Sequence, residues 1–222
     1  METANKKFAI GDYLKFAFLG EITFLLIVIM LAYFSTALFN MFPQLLDIIK
    51  VIMNGLAQKV GDDTQSGMTV KIFVNNFLIT VTPILIFSIQ LLPFRLIKAL
   101  AVSLSLYIGL FLYLFNAVVI GLTFGAMDMM MNVSFTSLLL ISLVHGSLEL
   151  FAMSAGTLFA FYYRYAADQP LIIGSELFYN NLFRGQKLAI VILPLLFAIL
   201  ATAALLEVYV SAPLAAIIVG GA

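Results

Sequence analysis

Apolar residues in this chain come in five long runs, each interrupted by only a few ionisable or amide side chains. The runs cover residues 17–38, 72–92, 99–123, 135–163 and 188–209. About 20 apolar residues in helix cross the roughly 30 Å of hydrocarbon in a bilayer, so each run predicts a transmembrane helix. Residues 41–59 follow a different pattern. Leu45, Ile49, Ile52 and Leu56 recur along one side, with Asp47, Lys50 and Asn54 elsewhere. That period predicts an amphipathic helix lying at the interface or packing over the bundle. Gly61 to Gly67 reads as a solvated turn. Residues 166–187 are too short and too polar to cross, and Leu171 to Ile173 with Leu177 to Phe183 suggest a second surface-lying helix. Residues 1–7 are polar and no small-residue cleavage pattern follows the first run, which therefore reads as a retained span. The expectation is an all-α membrane protein: a single domain over 1–222, a bundle of about five transmembrane helices with one or two interfacial amphipathic helices.

Orientation follows from the eleven lysines and arginines. With the N-terminus inside, the inner segments hold Lys6, Lys7, Lys15, Arg95, Lys98, Arg164, Arg184 and Lys187. The outer segments hold only Lys50, Lys59 and Lys71. The positive-inside bias favours this arrangement, which leaves the C-terminus outside. Phe159, Phe161, Tyr162, Tyr163 and Tyr165 beside Arg164 then mark the inner interface, and Tyr209 the outer one.

Composition sharpens this picture. The chain is 64% hydrophobic and 10% charged, where a soluble domain carries about 25% charged residues. Net charge is zero, so nothing points to nucleic acid. There are no cysteines, which excludes disulfides, thiolate metal sites and cysteine nucleophiles.

The candidate chemistry lies in the polar residues that break the apolar pattern. Ionisable groups within spans cost several kcal/mol and usually face a bundle interior or cavity. Here these positions are Asn75 with Asn76, Asn116, His145, Glu149 and Glu207. His145 and Glu149 are four apart and share a helix face, where they can hydrogen-bond to each other. Gly146 beside them predicts a close approach by a neighbouring backbone. With the orientation above, all six fall in the outer half of the bundle and predict one intramembrane polar cluster there. Glu21 lies near the inner boundary and is expected to snorkel. Pro83 and Pro194 predict kinks. One histidine with one glutamate falls short of the three protein ligands that catalytic zinc uses. Glu207 or an asparagine oxygen could complete such a set, but no metal, cofactor or catalytic residue is assigned. No nucleotide-binding loop, nucleophile elbow or paired-histidine protease motif occurs. Ser142, three residues before His145, has only a loose relation to a base.

At these same residues the sequence resembles the stage II sporulation protein M family of integral membrane proteins. The strongest piece is His145-Gly146-Ser147-Leu148-Glu149-Leu150, followed by Ala152 and then Ala155-Gly156. It is similar to the family's His-Gly-x-x-Glu-Leu signature before a small-residue stretch. Asn75-Asn76, then Phe115-Asn116-Ala117-Val118-Val119-Ile120-Gly121, and Ala204-Leu205-Leu206-Glu207 leading to Pro213, supply three further pieces in order. This chain departs by having Val144 where the family often has proline, and by a run at Met153-Ser154-Ala155-Gly156-Thr157 with less glycine. The first 70 residues carry no such signature. The resemblance implies a multi-pass protein of the cell envelope. In spore formers it implies a membrane anchor for peptidoglycan-degrading partners, a lytic enzyme and an amidase-type hydrolase.

Three functional expectations follow. The first is a non-catalytic membrane scaffold in the cytoplasmic membrane that positions extracytoplasmic peptidoglycan hydrolases, a role in cell-envelope remodelling and sporulation. The second is a small transporter or channel with Asn75, Asn116, His145, Glu149 and Glu207 along an outward-opening polar path. The third is an intramembrane metal-dependent enzyme, a membrane hydrolase using His145 and Glu149. The lipid bilayer is the expected surrounding, and small residues around Gly146, Ala155 and Gly156 could pack within the chain or across a homodimer.

Overall fold

The computed structural model describes residues 10–60, 64–89, 95–131, 134–166 and 176–214, and these form helices joined by short connections. In chain order they are α1 (Ile10–Met41), α2 (Pro43–Val60), α3 (Gln65–Ser88), α4 (Arg95–Met131), α5 (Phe135–Thr157), α6 (Phe159–Ala166) and α7 (Glu176–Leu206). A π-helical turn, Glu207–Ser211, continues α7. Five of these helices are long and apolar enough to cross a membrane: α1, α3, α4, α5 and α7 with its continuation. Their outer faces carry large bare side chains, among them Leu26 (62% exposed), Phe111 (62%) and Ile190 (68%). Such a surface requires lipid around it, because water would not tolerate apolar patches of this extent. The chain is a multi-pass α-helical membrane protein.

Two of the helices run well past the predicted spans. α1 has 32 residues and α4 has 37, and at 1.5 Å per residue α4 runs about 55 Å, well past one bilayer core. Hydroxyls cap two helix starts: Thr64 Oγ1 accepts from Gly67 N, and Ser134 Oγ accepts from Ser137 N. The amphipathic α2 packs over the bundle, with Ile49 buried and Leu45, Leu46, Ile52 and Met53 gathered against Phe39, Leu122 and Ala126. The side chain of Leu56 lies outside the described residues.

Two expectations about helix bounds change. The run 135–163 is not one helix: it divides at Leu158, and α6 starts immediately after. The aromatic residues that follow pack into the bundle. Phe159 and Tyr163 each meet Phe87 edge-on, and Tyr162 meets Tyr13. A separate second surface helix is also absent among the described residues. Glu176 onward belongs to α7, and Gly185, Gln186 and Leu188 are already buried in the bundle; residues 167–175 lie outside the described residues. Pro83 and Pro194 both sit inside continuous helices.

The core is centred on α5, which touches α1, α3, α4 and α7. Small residues let backbones close on one another. A methyl on Gly156 would run into the carbonyl oxygen and side chain of Thr80, and one on Gly109 into the carbonyl oxygen of Thr157. On α4, a methyl on Gly121 would lie 2.9 Å from the Val28 carbonyl oxygen of α1. Ala155 and Gly156 are therefore used within the chain. Hydroxyls bond carbonyls across helices: Tyr13 donates to Ala155 O, Tyr113 to Gly20 O (2.5 Å) and Ser105 to Pro83 O (2.6 Å). Glu21 does not snorkel. At 8% exposure it lies on the buried face of α1, in line with Tyr13, Ala17, Phe24 and Val28.

A carboxylate and histidine cluster beside an intramembrane cavity

The start of α5 and the end of α7 lie against each other in opposite directions. Each carries two polar residues four apart, on one helix face: His145 and Glu149 on α5, Glu207 and Ser211 on the π turn. Antiparallel packing then pairs the first of one with the last of the other. His145 Nδ1 lies 2.8 Å from Ser211 Oγ. The carboxyl groups of Glu149 and Glu207 face each other, with an oxygen of each within 4.8 Å of the other. A third helix contributes Asn76, whose Nδ2 donates to Glu149 Oε1 at 2.6 Å. One ligand-type atom each from His145, Glu149 and Glu207 lies within 4.8 Å of the others.

The hydrogen bond expected between His145 and Glu149 does not form. Each side chain reaches instead to a different neighbouring element. Charge balance makes the arrangement notable. Two carboxylates in contact repel unless a proton or a cation lies between them. No lysine or arginine supplies that charge among the described residues, where the two ion pairs, Lys15–Asp12 and Lys50–Asp47, lie near the surface.

The cluster forms one wall of a half-open cavity of about 500 Å³. Apart from Ser142, its other walls are apolar: Leu25 and Val28 of α1, Ile120, Phe124 and Met127 of α4, and Leu138, Leu139, Ile141, Leu143 and Leu150 of α5. Gly146 does not receive a neighbouring backbone, contrary to the expectation from its position. A methyl there would meet only Ser142 Cβ of its own helix, at 4.0 Å, because the residue faces the cavity. A second cavity of about 80 Å³ is lined by Asn75, Asn76, Thr80, Asn116 and Glu149 among others. That volume holds a few waters. Glu149 thus lines both cavities.

The six residues singled out in the sequence divide into a centre and a margin. His145, Glu149, Glu207 and Asn76 make direct contact. Asn116 faces the small cavity but donates to Leu112 O of its own helix at 2.7 Å. Asn75 is exposed at the rim and bonds to Asn76 at 3.3 Å. Sequence reasoning missed Ser211 and Thr80. Ser211 stands four residues after Glu207, repeating the spacing of His145 and Glu149, and that repetition is a legible signal. Thr80, buried with Oγ1 unpartnered among the described residues, gives no comparable sign. The π turn that carries Glu207 and Ser211 is also invisible in the sequence; such turns are frequent at functional sites.

No family model, curated protein or solved structure matches this chain. The resemblance to the stage II sporulation protein M family rests on the four sequence pieces quoted above.

Proposed function

We propose that this protein is a small membrane transporter for a cation, with the cavity between α1, α4, α5 and the π turn as its vestibule. One observation carries the reading: Glu149, part-buried and without a lysine or arginine partner among the described residues, lines two cavities and is the ionisable residue common to both. An intramembrane ionisable group lining a cavity is the signature of an ion or proton pathway. A trail of polar groups leads on from it, through Asn76 and Asn116 to Thr80. The lysine and arginine distribution supports an N-terminus inside a cytoplasmic membrane, which makes the vestibule face outward.

The test is flux into proteoliposomes containing the full chain, for protons, potassium, manganese and zinc in turn. At least one cation is expected to enter faster than in empty vesicles. Glu149→Gln, which keeps the hydrogen bond to Asn76 but removes the charge, is expected to lower that rate at least tenfold. Gly146→Leu, whose Cβ would enter the vestibule with no atom of another helix within 4 Å, is expected to lower it as well. Flux equal to that of empty vesicles for all four cations, or unaffected by both substitutions, would refute the proposal.

A scaffold reading keeps one structural support. α2 packs one side on the bundle and leaves Ile48 (56%) and Val51 (71%) exposed on the other. That face would suit an extracytoplasmic partner such as a peptidoglycan hydrolase. Crosslinking in native membranes should then recover such an enzyme with the wild type and lose it with Ile48→Asp/Val51→Asp.

A further inference from the structure

We infer that His145, Glu149 and Glu207 form a binding site for one divalent transition-metal ion, of which zinc is the representative. This deepens the transport proposal by naming its substrate class and rests on that proposal for the ion's passage; the site itself stands on its own geometry.

Three features converge. The first is the ligand set. One imidazole and two carboxylates from two packed elements bring their ligand atoms within 4.8 Å of one another. Ligands of a tetrahedral zinc at about 2.0–2.1 Å lie about 3.3 Å apart, so modest side-chain rotations close the set on an ion. Three protein ligands leave a fourth position, and the adjoining cavity of about 500 Å³ gives water or an entering ion access to it. Sites with three protein ligands and an open position are the working kind, whereas structural zinc sites are closed by four.

The second feature is the surrounding shell. Metal-binding histidines almost always engage their other ring nitrogen, and ligating carboxylates are themselves hydrogen-bonded. Here Ser211 Oγ lies 2.8 Å from His145 Nδ1, and Asn76 donates to Glu149 Oε1 at 2.6 Å. With Ser211 accepting from Nδ1–H, Nε2 is left bare as the ligand. Neither support comes from a charged group, so both leave the charge of the site unchanged.

Charge is the third feature. Two carboxylates and a neutral imidazole carry two negative charges, which a divalent ion cancels. A monovalent ion leaves one charge uncompensated in a membrane interior, where that is costly. The imidazole separates the candidates further. Magnesium and calcium take oxygen ligands, whereas zinc, manganese, iron and cobalt accept a mixed nitrogen and oxygen set. Copper(I) favours thiolates, and the chain has no cysteine.

The experiment uses the full chain, purified in detergent, stripped with a chelator and equilibrated with zinc alone. Elemental analysis is expected to find one zinc per chain, exchanged by excess cobalt and not by excess magnesium. His145→Gln and Glu207→Gln should each weaken binding at least tenfold. Ser211→Ala should weaken it about 10–100-fold, the usual effect of removing a supporting partner, while Glu21→Gln, away from the cluster, should leave it unchanged. Absence of saturable zinc, equal displacement by magnesium, or undiminished binding in both ligand variants would overturn the site. Where the ligand variants do not fold, the cobalt-loaded wild type decides: a visible ligand-field spectrum unlike that of aqueous cobalt supports the site, and one identical to it refutes it. Zinc binding without flux of any of the four cations removes transport and leaves the site; flux without zinc binding removes the site and leaves transport.

Discussion

The two halves of α5 are built on opposite principles. Residues 152–160, at its end and the turn after it, are all buried, whereas none of residues 139–151 is fully buried. Each half has one glycine. Gly156 is a point of closest approach, with Thr80 of α3 directly against it, while Gly146 borders open space. The polar residues divide in the same way. In the closed half, Thr157 bonds back to Met153 O at 2.6 Å and Ser154 Oγ is buried with no partner among the described residues. In the open half, His145 and Glu149 bond to side chains of other helical elements beside a cavity. In a membrane, where apolar burial gives helices little reason to associate, close backbone contact holds the bundle together. One half of the helix can then be spared from packing and used to place His145 and Glu149.

The largest effect is expected where the closed half is filled. Gly156→Ala puts a methyl against a backbone oxygen that cannot rotate away, so α3 and α5 must separate. Overpacking typically costs about 1–3 kcal/mol, and contact with backbone belongs at or above the top of that range. The gain of about 1 kcal/mol in helix propensity from glycine to alanine offsets only part of it. Thermal unfolding in detergent should show Gly156→Ala to be less stable than Glu149→Leu, Glu149→Gln and Gly146→Ala. Stability equal to the wild type would mean that the closed half does not hold the bundle.

How far each half could be read from the sequence follows from the same contrast. The five spans and the amphipathic α2 were legible because lipid and interface impose periodic demands on composition. His145, Glu149, Glu207 and the asparagines were legible because polar groups stand out in an apolar run. The two glycines were not distinguishable. Gly146 and Gly156 both sit among small and apolar neighbours, and only the path of α3 decides which one is filled. The break at Leu158 was hidden likewise, because Phe159, Tyr162 and Tyr163 read equally as a span's end or as rings docking sideways on Phe87 and Tyr13. Glu21 looked like a boundary residue because α1 extends farther at its start than its apolar run shows.

An intermediate effect is expected at Glu149, and its sign depends on the replacement. Glu149→Leu leaves the Asn76 amide without its acceptor, a stranded polar group that costs about 1–3 kcal/mol. Glu149→Gln keeps an oxygen for Asn76 and offers an N–H to Glu207, so the contact between two carboxyls becomes an ordinary amide–carboxylate bond. Unfolding measurements should therefore rank leucine well below the wild type and glutamine at or above it. A glutamine variant as unstable as the leucine one would show that the negative charge itself holds the cluster together, as it would with a tightly retained cation.

The smallest effect on stability belongs to Gly146→Ala. The added methyl approaches nothing nearer than Ser142 Cβ at 4.0 Å, so no overpacking opposes the gain in helix propensity of up to about 1 kcal/mol. The variant should unfold at the same temperature as the wild type or slightly above it, opposite in sign to Gly156→Ala on the same helix. The pair is informative because the substitution is chemically identical and only the surroundings differ. If both alanines destabilise the protein alike, the cavity beside Gly146 closes in the membrane and the open half is packed after all. If Gly146→Ala is neutral and Gly156→Ala is not, the space beside His145 and Glu149 persists in the folded protein, and a substrate or ion has somewhere to enter.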